Sequence, residues 1–171
     1  MKIIKLTFII IFLFNTTYAL SNENSPSKND VDHARSIFKQ IEKGNWSQAL
    51  KKTKKNNKKI LNDLIYWMYL NKKKNNASFY EYQDFIKQNT NFPNKSYLQY
   101  LSEHKIKTET ISPNKIINYF KKNKPVSSFG QLRLGEALIF LGDAEKGKKL
   151  IKENFITTNL TNSELSYFIK K

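Results

Sequence analysis

The chain reads as an all-α fold of stacked antiparallel helical hairpins, and three observations lead there. Apolar residues recur at helical spacing from Asp30 onward, no stretch alternates as a strand does, and short loops with start and stop residues separate the periodic segments. Short connections between helices of two to four turns make antiparallel neighbours.

About nine helices are expected. The first, near 31–43, carries Ala34, Ile37, Phe38 and Ile41 on one face. A Gly44 turn precedes the second, 46–55. The third, 58–72, is marked by Ile60, Leu61, Leu64, Ile65 and Met68. Ser78 with Glu81 forms a capping box for the fourth, 79–89, and "NFPN" at 91–94 breaks the chain before the fifth, 95–104. Ser112 followed by Pro113 at the first helical position opens 113–123. Phe129, Leu132, Ala137, Leu138 and Leu141 define 127–141, and Gly142 with Asp143 separates it from 144–156. The last helix, 162–170, is announced by Thr161 with Glu164 as a capping box and by Leu160 with Leu165 as a hydrophobic staple. Its Leu165, Phe168 and Ile169 form an apolar stripe that needs a partner surface.

An internal echo supports stacking. "KGNWSQALKK" at 43–52 and "LGDAEKGKKL" at 141–150 both place a Gly-polar turn before a helix, with a small residue, Ala49 or Gly147, at the same offset. Close helix packing needs a small residue there, and the offset between the two segments is close to three repeats of a helical-hairpin class. The expected course is a tetratricopeptide-like α-superhelix segment over 30–171.

The N-terminus has the order of a secretory signal peptide at 1–19: Lys2 and Lys5, the apolar run "LTFIIIFLF", then "NTTYA" with a small-x-small cleavage site after Ala19. The run is well short of the roughly 20 residues that span a bilayer, so no stable membrane anchor is expected after cleavage. Residues 20–29 read as a flexible polar leader. Export predicts a periplasmic location. It argues against nucleic acid as partner and points to anionic envelope polymers for a chain of net charge +16. The bias toward Lys, Asn, Ile, Phe and Tyr is also that of an AT-rich genome, so codon supply accounts for part of the charge.

Chemistry is sparse. No cysteine is present, which excludes disulfides, thiolate metal sites, thiol nucleophiles and a lipid-bearing N-terminal cysteine. His33 and His104, the two histidines, stand far apart without a metal motif and read as helix-face residues. Gly130 and Gly135 have phosphate-loop spacing, but Glu136 and Ala137 occupy the places of its Lys and Ser/Thr. Glu81 and Asp84 share a helix face, yet Glu81 serves as a cap; Glu136 lies three residues from Arg133, as in a helix-surface ion pair. The aromatics of "LIYWMYL", "FYEYQDF" and "YLQY" could stack on sugar rings, although Trp67 and Phe85 fall on the apolar stripe and read as core. The lysine clusters at 51–59, 72–74, 121–124 and 146–152 fall on polar faces and turns. No catalytic, cofactor-binding or metal-binding residue is expected.

Five stretches, "DLIYWMYL", "ASFYEYQDFIKQNTNFPNKSYLQYLSEHKI", "ISPNKIINYF", "PVSSFGQLRLGEALIFLGDAEKGKKLIKENF" and "LTNSELSYFIKK", resemble the N-terminal helical region of soluble lytic murein transglycosylases, over roughly residues 46 to 171. The resemblance implies a periplasmic α-superhelix, coupled in such enzymes to a lysozyme-like domain. That domain cleaves the MurNAc–GlcNAc bond to a 1,6-anhydro product, using the glutamate of a Glu-Ser dipeptide as acid and then base. This sequence holds no Glu-Ser dipeptide, so no catalytic residue carries over.

Two functional expectations follow. In the first, the chain is the superhelical part of a longer transglycosylase, inactive alone, with peptidoglycan as partner of the whole enzyme. In the second, it is a free-standing secreted binding module that engages peptidoglycan or a protein, a protein partner docking through the C-terminal helix.

Overall fold

The structure, a computed structural model, describes residues 26–55, 58–72, 74–157 and 161–169. The signal peptide at 1–19 and the leader as far as residue 25 lie outside the described residues, as do Leu160 and the side chains of Glu164 and Phe168 in the C-terminal cap and stripe. Among the described residues all regular structure is α-helical: α1 (Lys28–Glu42), α2 (Trp46–Thr53), α3 (Lys59–Leu70), α4 (Phe79–Gln88), α5 (Lys95–Glu103), α6 (Pro113–Lys122), α7 (Ser128–Phe140), α8 (Ala144–Thr157) and α9 (Asn162–Ile169). None of them is long and apolar enough to cross a membrane.

Two compact units share the chain, one up to Asn56 and one from Asn57. The first is the α1–α2 hairpin. Its entry differs from expectation, because α1 takes in the end of the leader. Ser27 caps α1 through Asp30 N–H, and the Asp30 carboxylate returns to Ser27 N–H at 3.1 Å. Aspartate closes the box in the place where glutamate or glutamine is usual, which hides the signal in the sequence.

In the second unit α4 packs on α5, α6 on α7 and α7 on α8, with α5 also meeting α7. The expected hairpins are therefore present. Leu70, Tyr82, Phe85, Leu98 and Leu101 form one core across α3, α4 and α5, and Trp67 seals its edge by donating to Pro93 O at 3.2 Å in the "NFPN" break. Ile106, Ile111, Ile116, Phe120 and Ala137 form a second core with Phe79. Asn94 turns the chain into α5 at φ 63°, a left-handed conformation that asparagine tolerates better than most residues. On α3 the periodic set is only partly inside: Ile65 is buried, whereas Ile60 is 85% exposed.

The sequence echo is a structural one. Gly44 and Gly142 end α1 and α7 at φ 74° and 93°. In both, the glycine N–H donates three residues back, to Ile41 O and Ile139 O, and the next N–H five back, to Gln40 O and Leu138 O. This pair of bonds is the Schellman motif, and it requires the left-handed residue that glycine supplies without strain. The small residues at the common offset, Ala49 and Gly147, are both buried. At Gly147 the reason is visible, since a Cβ there would stand 2.6 Å from Gly135 O: α7 and α8 cross backbone to backbone.

Candidate functional site

The residues singled out by sequence are scattered, most of them over the second unit and His33 in the first. Glu81 is the expected cap of α4, with Ser78 N–H donating to its Oε2 at 2.8 Å, and it also accepts from Tyr66 Oη at 3.0 Å. Burial first, and then this bond to Glu81, push the Tyr66 hydroxyl far above its ordinary value of 10.0. Asp84 stands exposed on the same helix. Gly130 and Gly135 are helical residues of α7, chosen by crowding: a Cβ on Gly130 would meet the Glu103 carboxylate at 2.3 Å, and one on Gly135 would meet Ile151 at 2.5 Å. His33 lies half-buried on α1. The described lysines of 121–124 and 146–152 are exposed, as expected of solvated charge.

Around Arg133 the expectation changes. Its pair with Glu136, at 2.8 Å, is not on the helix surface: the two side chains are 6% and 18% exposed. The i,i+3 spacing predicts the contact but not its depth, which α9 and the turn of α7 beneath it create. The Arg133 guanidinium lies 4.5 Å from the ring centroids of both Phe129 and Tyr167, in the corner formed by these two rings, which meet edge-on at 5.4 Å. Arg133 also donates to Tyr167 Oη, which in turn donates to Glu136 Oε1 at 3.0 Å. A desolvated cation against an aromatic ring is stabilised by about 2 kcal/mol, and the carboxylate neutralises it.

The ring stack continues beyond Arg133. His104 lies 5.3 Å from Phe129 with ring planes 12° apart and 4.5 Å from Tyr100, which stacks on Tyr97 at 6.1 Å. Its Nδ1 lies 2.8 Å from Tyr100 O. His104 is thus part of an aromatic run joining α5, α7 and α9, which sequence spacing does not reveal because its members are distant in the chain.

Sequence reading passes over Glu103 altogether. It is fully buried, yet its carboxylate accepts from Val126 N–H at 2.9 Å, Ser127 N–H at 2.8 Å, Ser127 Oγ–H and Gln99 Nε2–H at 3.0 Å. Ser127 Oγ accepts in turn from Gly130 N–H at 2.9 Å. A carboxylate at a helix N-terminus is favoured by the unsatisfied N–H groups and the helix dipole, so Glu103 builds the start of α7 from another helix.

Beside the Arg133 cluster opens an apolar cleft of about 630 Å³, walled by Pro113, Leu132, Ala137, Phe140 and Ile151, with Glu136 and Tyr167 at its polar edge. Such a cleft suits an apolar or amphipathic group with one polar contact. Among the described residues no group of three or more His, Asp or Glu is placed to hold a metal ion. No family model, no curated protein and no solved structure matches the chain.

Proposed function

We propose that this chain is a non-catalytic helical-hairpin binding module of peptidoglycan turnover in the periplasm, the superhelical region of a lytic transglycosylase in which a separate lysozyme-like domain cleaves the glycan. The observation that carries the reading is the succession of hairpins α4–α5, α6–α7 and α7–α8, the last two sharing α7, together with the structural employment of three carboxylates within it. Glu81 caps α4, Glu103 caps α7 and Glu136 neutralises Arg133. Each is held by donors, whereas the general acid of glycan cleavage needs a carboxyl free to reach the scissile oxygen. The sequence resemblance supplies the class of polymer.

The test is co-sedimentation of the chain with purified cell-wall sacculi, with the supernatant analysed by mass spectrometry. Binding without release of anhydro-muropeptides is the expected result. Release of such products would show chemistry in the chain itself and overturn the assignment.

A second reading, a scaffold for a protein partner, has its own support. Phe140, Ile156 and Ile169 are 77%, 69% and 76% exposed on α7, α8 and α9. Large exposed apolar side chains on neighbouring helices favour contact with another protein surface. Failure to sediment with sacculi would favour it.

A further inference from the structure

A second concavity, of about 470 Å³, lies apart from the Arg133 cluster, between the α3–α4 connection and the α5–α6 connection. Its lining is more polar, with Ala77, Phe79 and Ile111 among the residues that form it. Lys105, Lys107, Asn76, Thr110 and Tyr80 line it, with Ser78 at the start of α4.

The frame of this cleft is built with care. Asn75 is buried, and its amide nitrogen lies 2.6 Å from Lys72 O, 3.2 Å from Leu70 O and 2.7 Å from Tyr82 Oη. Its Oδ1 accepts from Ala77 N–H at 2.9 Å. Tyr82, fully buried, donates to Leu70 O at 2.7 Å, and Tyr69 Oη accepts from Asn76 N–H at 3.0 Å. A buried network satisfied in this way fixes the backbone of a connection that has no regular structure of its own. Lys105 is tied to that frame, because its ammonium donates to Asn75 O.

Two ammonium groups therefore share one concave surface, and neither has a carboxylate partner among the described residues. Burial, and secondarily the charge of Lys107, hold the Lys105 ammonium below its usual range. The described lysines of α8 are exposed on an open helix face where water screens them; Lys105 is half-buried and shares the lining of a recess with Lys107. At the rim the Tyr80 ring is 46% exposed, with Lys115 Nζ 5.9 Å from its centroid, a third cation at the same mouth. Glu81, the nearest acid of α4, is occupied by Ser78 and Tyr66.

We propose that the cleft between the 74–80 connection and the 104–111 loop is a binding site for one oxyanion, a carboxylate or phosphate group, received by Lys105 and Lys107 with the rest of its carrier against Tyr80. An oxyanion there makes charge-assisted hydrogen bonds and removes the repulsion between the two ammonium groups. The site is separate from the apolar cleft and does not depend on the cell-wall reading.

The experiment is a titration of the isotope-labelled chain, followed by amide chemical shifts, with inorganic phosphate in one arm and glucuronate in the other. Saturable shifts confined to residues 74–80 and 104–111 are expected in at least one arm, and the tighter arm identifies the oxyanion class. Lys107→Gln, at an exposed position, should weaken that binding by about tenfold, the loss of one charge-assisted bond. Lys146→Gln with Lys148→Gln, on exposed positions of α8, should leave it unchanged. A melting temperature near that of the parent chain certifies each variant. Shifts spread over all lysine-bearing helices without saturation, binding indifferent to Lys107→Gln, or no binding of either probe would each overturn the proposal.

Discussion

Glu103 takes its role from residues 23 and 24 positions further along the chain. In "YLSEHK" it looks like any acidic residue near a helix end, and helical periodicity has nothing to say about a partner on another element. The same distance explains why the burial of Arg133 is not legible: i,i+3 spacing yields the ion pair, but Phe129 and Tyr167 supply the enclosure. By contrast Ser78 and Glu81 are legible because both halves of the box are local. Replacing Glu103 by alanine removes the acceptor for Val126 N–H and Ser127 N–H inside the protein, at a cost of about 2–3 kcal/mol. Urea unfolding monitored by circular dichroism should show that loss. Glu103→Gln should lose less, since one oxygen still accepts.

Helix ends carry the next level. Most of the helices stand within a residue or two of where periodicity and punctuation put them, because most of their start and stop signals are local in sequence; the exception is α1, whose aspartate box was hidden. Which helix lies at the centre is another matter. Helix α7 is central because Gly130, Gly135 and Ala137 let Glu103, α8 and the α6 core approach, and small residues in a periodic run do not announce their neighbours. The two Schellman glycines make a cleaner test than these. Nothing lies within 4 Å of a Cβ built on Gly44 or Gly142, so alanine there meets no clash and only the left-handed φ. Gly44→Ala and Gly142→Ala should each cost about 1–2 kcal/mol, read as lowered melting temperature with unchanged helix content.

At the scale of the whole molecule, pH collects the buried hydroxyls. Tyr66, Tyr82 and Tyr119 all have hydroxyls raised above 10.0, in each case by burial foremost. Above pH 10 the unfolded chain ionises these groups while the folded one retains their protons. Their contribution to stability is therefore complete below pH 10 and is lost as pH rises through the elevated values. Lys105 works the other way, since its lowered value makes the folded state bind fewer protons than the unfolded one just below 10.5. Three tyrosines against one lysine give a net fall. Thermal melts in steps above pH 10, with tyrosinate absorbance followed in parallel, should show stability dropping as the rings ionise, and Tyr66→Phe should soften the drop.

Tyr167 joins the apolar cleft to a buried ion pair. It lines the apolar cleft, and the described contacts of α9 with α7 gather on it, through its ring on Phe129 and Arg133 and its hydroxyl on Glu136. One side chain thus serves both as a wall of the cleft and as a neighbour of a buried cation. A ligand that displaces the Tyr167 ring from the cleft also takes an aromatic neighbour and a hydroxyl from Arg133 and Glu136, so filling the cleft is coupled to how firmly that ion pair is held.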